Sequence, residues 1–71
     1  MGLIEHETEE RISREAAAER LRALADELSR HNEVSFEKDG RKFTVDVPSE
    51  VTFSLEIEVG GENEIEVEIK W

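Results

Sequence analysis

The last eight residues of the chain, EIEVEIKW, constrain the fold most, because charged and apolar side chains alternate strictly from Glu64 to Trp71. A period of two is the repeat of a β-strand, in which successive side chains point to opposite faces. One face of this strand would carry glutamates. The other would carry only apolar side chains, namely Ile65, Val67, Ile69 and Trp71. Such a strand needs water on one side and an apolar partner on the other.

A second alternating stretch, residues 51–59, precedes this strand and predicts its partner in a hairpin. Gly60, Gly61 and Asn63 lie between the two stretches, and residues of these types tolerate the positive φ angles of tight turns. A three-residue loop at 61–63 would close the hairpin with every apolar side chain on one face.

The same loop would set glutamates directly opposite one another on the outer face, Glu58 with Glu66 and Glu56 with Glu68. The Cβ atoms of directly opposed residues in an antiparallel pair lie about 5 Å apart, and two like charges at opposed positions are destabilising. The Debye length falls from about 8 Å at physiological salt to about 3 Å at 1 M, so concentrated salt would relieve the repulsion. Two interpretations stay open: a solvated surface adapted to salt, or a carboxylate patch for divalent cations or a basic partner. A flat patch lacks the enclosing carbonyls of selective calcium sites, so diffuse association of salt cations is expected.

The middle of the chain, residues 14–31, predicts a helix. Ser13 precedes it and can accept a hydrogen bond from a free amide of the first turn. His31 would end it, and Glu19 would pair with Arg22 on its outer face. An apolar stripe at helical spacing would face the sheet; it comprises Ala17, Leu21, Leu24, Ala25 and Leu28.

The stretch after the helix, residues 33–47, predicts a first hairpin. Asp39-Gly40 is the signal of a two-residue type I′ turn, which needs positive φ at both residues. That turn would bring apolar residues together on one face, Phe36 with Phe43 and Val34 with Val45.

These elements predict a single small α+β domain over residues 1–71, a four-stranded antiparallel meander with the helix on its apolar face. The predicted strands are 33–38, 41–47, 51–59 and 64–71. Residues 3–10 are expected to add a fifth strand. It could lie parallel to residues 34–37 or antiparallel to the last strand, and the sequence leaves both placements open.

Charge narrows the classes of partner. Nineteen acidic residues oppose nine basic ones, which gives a net charge of −10, and only three of the bases are lysines. This surface repels phosphate backbones and anionic membranes, so no nucleic acid and no membrane is expected as a partner. Strong negative charge with few lysines fits a protein of concentrated salt, and an acidic mesophilic protein is the alternative. Residues 1–10 lack the apolar core of a signal peptide, so a cytoplasmic location is expected.

Catalysis has little support in the sequence. The chain has no cysteine, and its two histidines, His6 and His31, belong to no Ser–His–acid set, phosphate-binding glycine loop or HExxH motif. A core this small is also expected to leave no room for a deep pocket of a few hundred Å³. We therefore expect no enzyme activity and no cofactor.

The leading hypothesis is a non-enzymatic protein-interaction module, whose partner is another protein or a second copy of the chain. Trp71 would be either a cap of the core opposite Phe53 or an exposed anchor for that partner. The helix face with Arg14 and Arg22, a free strand edge and the acidic face are further candidate surfaces. The alternative hypothesis is a cation-binding or cation-buffering protein that uses Glu56, Glu58, Glu66 and Glu68.

Several of these segments, in this order, resemble the amphi-Trp domain family. They are RISREAAAERLRALADEL at the helix, Pro48 between the hairpins, and residues 64–71, which end in tryptophan. His31-Asn32 departs from the glycine-type helix stop expected there. The resemblance covers nearly the whole chain and implies a halophilic archaeal origin. The family is uncharacterised in function, so the resemblance brings no catalytic residues to transfer.

Overall fold

The computed structural model of the protein describes residues 4–71. Its elements follow the chain as helix α1 (Arg14–Arg30) and strands β1 (Glu33–Lys38), β2 (Arg41–Asp46), β3 (Thr52–Glu58) and β4 (Glu64–Lys70). One helix and four antiparallel strands confirm the predicted α+β class. Within residues 4–71, no helix has the length and apolar character needed to cross a membrane.

Helix α1 begins as predicted, at the Ser13 cap. The Ser13 hydroxyl accepts a hydrogen bond from the Ala16 N–H at 3.0 Å, which satisfies one free donor of the first turn. At the other end the N–H of His31 donates to the carbonyl of Glu27 at 3.0 Å. His31 has a φ of −129°, so the helix leaves into extended backbone and needs no glycine stop.

Strands β1 and β2 form the predicted first hairpin in the predicted register. Asp39 and Gly40 have φ angles of 54° and 75°, as a type I′ turn requires. Phe36 lies opposite Phe43, and the two rings stack with centroids 5.3 Å apart. Turn chemistry and apolar pattern agree here, and the register follows from both.

Strands β3 and β4 form the second hairpin, but its register differs from the prediction by two residues. The opposed apolar pairs are Phe53 with Ile69, Leu55 with Val67, and Ile57 with Ile65. The predicted three-residue loop is wrong: the loop spans residues 59–63, and the Asn63 side-chain oxygen accepts from the Gly60 N–H at 3.2 Å. A shift of two residues leaves every side chain on its expected face, because side chains alternate with period two.

The single four-stranded meander is not formed, because β2 and β3 do not pair and each hairpin is a separate two-stranded sheet. The Val47 N–H still bonds to the Asn32 carbonyl at 2.7 Å, which extends the first hairpin. Pro48 follows, and it has no N–H to start a ladder with a new strand. Within residues 4–71, no Cα atom of β3 or β4 lies within 8 Å of one in α1, β1 or β2.

The helix packs on the first hairpin alone, and less tightly than predicted. It approaches β1, where the Glu27 side chain accepts a hydrogen bond from the Ser35 N–H at 3.2 Å. Of the predicted apolar stripe only Leu28 is half-buried, and Leu21 is 57% exposed. No residue among 4–71 is fully buried. The prediction that the helix covers all four strands is therefore wrong, because the second hairpin lies out of its reach.

The fifth strand predicted at residues 3–10 is wrong as well. Residues 4–13 form no helix or strand, and Leu3 lies outside the described residues. A strand parallel to β1 would have to pair with the edge of β1 that faces away from β2. On that edge the backbone N–H of Ser35 already donates to the Glu27 side chain. The outer edge of β4 stays without a partner strand in the part of the chain that the structure describes.

Side-chain contacts hold the N-terminal segment against the rest of the fold. The His6 ring stacks on Phe36, with centroids 5.0 Å apart. The Arg20 guanidinium donates to the Glu10 carboxylate. That hydrogen bond first, and then the positive charge of Arg20, hold the pKa of Glu10 below its usual value.

Candidate functional site: the two faces of the second hairpin

The second hairpin exposes a continuous apolar surface, called the apolar face below. It consists of Phe53, Leu55, Ile57, Val59, Ile65, Val67 and Trp71. Exposure across these residues runs from 43% for Val67 to 82% for Val59. The alternation of the sequence places the side chains correctly on one face, but the face predicted to form the core is open to solvent.

The tryptophan end of the apolar face borders an open apolar groove of about 410 Å³. Its walls include Leu21, Leu24, Val34, Phe36, Val67 and Trp71, so helix, first hairpin and second hairpin face one another across it. The groove has the volume of the deep pocket that was not expected, a few hundred Å³, but it is open to solvent and not deep. The groove exists because the three apolar surfaces face one another without closing together.

The opposite face of the hairpin is acidic, with glutamates opposed in pairs that differ from the predicted ones. Glu56 lies opposite Glu66, and Glu58 lies opposite Glu64. Glu68 is opposite Ser54 instead of another glutamate, and its carboxylate lies 3.8 Å from the Lys70 ammonium. The two-residue shift in register accounts for all of these changes.

Three of these glutamates converge. Carboxylate oxygens of Glu56, Glu64 and Glu66 lie within 4.8 Å of one another, close enough to share a cation. Glu58 and Glu68, expected in such a patch, lie outside this group of three. Glu64 was missed because its place in the cluster depends on the loop length. All three side chains are exposed, so water competes with them for any ion.

The sequence model of the Amphi-Trp domain matches residues 3–71, which is nearly the whole chain. The chain belongs to the Amphi-Trp domain family. The match confirms the resemblance drawn from the helix, Pro48 and the strand that ends in tryptophan. No curated protein and no solved structure matches the chain.

In this Amphi-Trp domain the terminal tryptophan does not face its predicted partner. Extending the register of β3 and β4 by one pair sets Trp71 opposite Val51 and not Phe53. Trp71 is 58% exposed and forms part of the groove wall. Its indole therefore lies where the apolar face and the groove meet.

The arginines proposed for interaction lie on the helix, and acidic neighbours hold both of them. Arg14 pairs with Glu15 at 3.2 Å, and Arg22 forms the predicted pair with Glu19. Arg14 and Arg22 do not line the groove between α1 and the second hairpin, and no Cα atom of α1 lies within 8 Å of one in β3 or β4. Both ion pairs are exposed to solvent, so they are weak and each arginine keeps its charge at the surface.

The histidines of the domain lie apart from each other. His6 borders an open depression of about 460 Å³ with Glu5, Glu7 and Glu37. These side chains are exposed, so bulk water solvates them and weakens their mutual electrostatics. His31 lies at the end of α1, beside Asn32 and Pro48 in a different depression.

Proposed function

We propose that this Amphi-Trp domain is a non-enzymatic protein-interaction module that binds its partner through the apolar face of the second hairpin. The observation that carries the proposal is the exposure of the seven large apolar side chains of the apolar face, which lie on β3, on β4 and directly beside these strands. Neither the helix nor the first hairpin comes close enough to cover them. Burial of apolar surface is the main favourable term in protein association.

The area of the face supports a partner of protein size. A fully exposed aromatic side chain offers about 150–250 Å², and Val, Leu and Ile offer less, so the seven residues at these exposures leave on the order of 600–800 Å². The largest apolar patch of a typical monomer is about 300–600 Å². A standard protein interface buries about 800 Å² on each partner.

We place this module in a salt-rich cytoplasm, in a halophilic archaeal host. The net charge of −10 and the presence of only three lysines favour a protein that stays hydrated in concentrated salt. The opposed glutamates on the outer face favour the same setting, because mutual repulsion is weakest where the Debye length is shortest.

Capture of partners with matched variants tests the module. The domain is immobilised in 2 M KCl, and proteins retained from the lysate of a salt-rich host are then purified and their affinities measured. Ile57→Gln with Ile65→Gln should weaken binding at least tenfold, because the pair lies at the exposed end of the apolar face. Glu56→Gln with Glu66→Gln changes the neighbouring pair on the other face and should leave binding intact. Equal effects of the two variants would contradict the proposal.

A second candidate function is the binding of divalent cations, which the convergence of Glu56, Glu64 and Glu66 favours. Three carboxylates within 4.8 Å are a hard-oxygen set of the kind that Ca²⁺, Mg²⁺ and Mn²⁺ prefer. Their exposure favours weak binding at this cluster. Diffuse association of monovalent cations would accompany it.

Calorimetric titration with each of the three ions separates the two functions. Saturable binding in the micromolar range that Glu56→Gln abolishes would favour the cation function. Weak heat that disappears in 1 M KCl would leave the interaction module as the function. Glu68→Gln is the matched control, because Glu68 lies on the same face outside the cluster of three.

A further inference from the structure

We infer that the partner of the apolar face is a second copy of this chain, which docks the same face in a two-fold symmetric dimer. This inference rests on the proposed function and names the partner of the same surface. The face carries only apolar side chains, with Leu55 opposite Val67 at its centre and Ile57 opposite Ile65 towards the turn. It holds no charged group that a foreign partner would need to match.

The size of the face fits a two-fold interface. A symmetric dimer uses the same patch on both copies, so the roughly 600–800 Å² of each face would bury about 1,200–1,600 Å² in total. That total lies within the roughly 1,200–2,000 Å² of stable, specific interfaces. Two hairpins packed face to face about 10 Å apart make a small β-sandwich, the usual way in which two one-sided sheets cover each other.

The charge of the chain permits this arrangement, although two copies together carry −20, twice the −10 of each. Glu56, Glu58, Glu64 and Glu66 all project from the face opposite to the interface. Docking therefore turns the two acidic faces outward and keeps them more than a sheet spacing of about 10 Å apart. This separation is comparable to the Debye length at 0.1 M salt and about three times the Debye length at 1 M. The dimer should therefore tighten as salt rises.

The stability of the hairpin gives an independent reason for the dimer. A two-stranded hairpin without further packing is marginally stable at best in water. Within residues 4–71, strands β3 and β4 pair only with each other, and no Cα atom of α1, β1 or β2 lies within 8 Å of them, although side chains of those elements border the same groove as Val67 and Trp71. Docking of a second copy would supply the missing layer, so folding of the second hairpin would be coupled to association.

Sedimentation velocity in 1 M KCl, from about 1 to 500 μM protein, tests the inference. The wild-type chain should sediment as a dimer of twice 8.2 kDa and dissociate on dilution. Ile57→Gln with Ile65→Gln should raise the dissociation constant at least 100-fold without any change of net charge. Glu56→Gln with Glu66→Gln, one pair along on the other face, should leave the dimer as tight or tighter.

A thermal melt of the wild-type chain at the same concentrations guards against a variant that fails to fold. The unfolding midpoint of a dimer rises with protein concentration, and that of a monomer does not. A midpoint independent of concentration, a monomer at 500 μM, or a dimer that the apolar variant leaves intact would each overturn the inference.

The same data distinguish this failure from failure of the proposed function. A monomer that still binds another protein through Ile57 and Ile65 would overturn the second copy as partner and keep the module. A monomer that binds nothing, with these residues protected against Leu21 and Leu24 of its own helix, would overturn both.

Discussion

The three convergent glutamates, Glu56, Glu64 and Glu66, should make the free energy of unfolding rise with salt concentration. At 4.8 Å in water, two unit charges repel by about 0.9 kcal/mol before screening. The Debye length is about 10 Å at 0.1 M salt and about 3 Å at 1 M. Screening therefore reduces the repulsion of one pair to about 0.5 kcal/mol at 0.1 M and about 0.2 kcal/mol at 1 M. Each pair among Glu56, Glu64 and Glu66 thus loses about 0.3 kcal/mol of repulsion. Across the three pairs, the free energy of unfolding should rise by about 1 kcal/mol, or roughly 4–8 °C in Tm.

Thermal melts in KCl from 0.1 to 1 M, at one protein concentration, measure this slope. Glu64→Gln with Glu66→Gln removes all three repulsions in the cluster and should flatten the rise by about 1 kcal/mol. Glu50→Gln with Glu68→Gln removes the same charge, but Glu50 lies in a loop and Glu68 faces Ser54. This control should keep most of the slope. If both double variants flatten the slope equally, net charge is the cause and the reasoning from register is refuted.

Three further predictions concern the parts of the fold that are held locally. Ser13→Ala should lower the free energy of unfolding in urea by about 1 kcal/mol, since the Ala16 N–H loses its side-chain acceptor. Gly40→Ala should cost about 1–2 kcal/mol in the same assay; nothing lies within 4 Å of the added Cβ, so the cost is the φ of 75° alone. The pKa of Glu10 in the folded protein lies below its ordinary value of 4.5. The stabilising pair with Arg20 is therefore fully present above pH 4.5 and is lost as the pH falls through the pKa of the folded state. In an NMR titration the Glu10 carboxyl of wild type should therefore have a lower midpoint than that of Arg20→Gln, and equal midpoints would contradict the pairing.

The two hairpins show how far sequence can specify register. Asp39-Gly40 requires one turn type, so the pairing of Phe36 with Phe43 could be predicted and was correct. The residues between β3 and β4 tolerate several turns. The loop that forms is closed by the Asn63 side chain, and among residues 4–71 only Asp39 and Gly40 adopt positive φ. The residue types do not predict the length of this loop. They therefore do not predict which glutamates of β3 and β4 lie opposite one another.

Packing between distant segments was harder to predict than local structure. Alternation identifies which face of β3 and β4 is apolar. Whether another element covers this face depends on the direction that the chain takes after Val47, and residue types do not specify that direction. The prediction of a strand at residues 3–10 was wrong for a related reason. The acidic and apolar residues of this segment fit a strand, but no strand edge receives it, and the contact of His6 with Phe36 has no signal in the sequence.

Isotope-filtered NOE spectra of a sample that mixes labelled and unlabelled chains in 1 M KCl test the central claim most directly. Contacts between copies should join the methyl groups of Ile57 and Ile65 to Phe53, Leu55 and Val67 of the unlabelled chain. Spectra in which these methyl groups show contacts only within their own chain would contradict a shared apolar face between two copies.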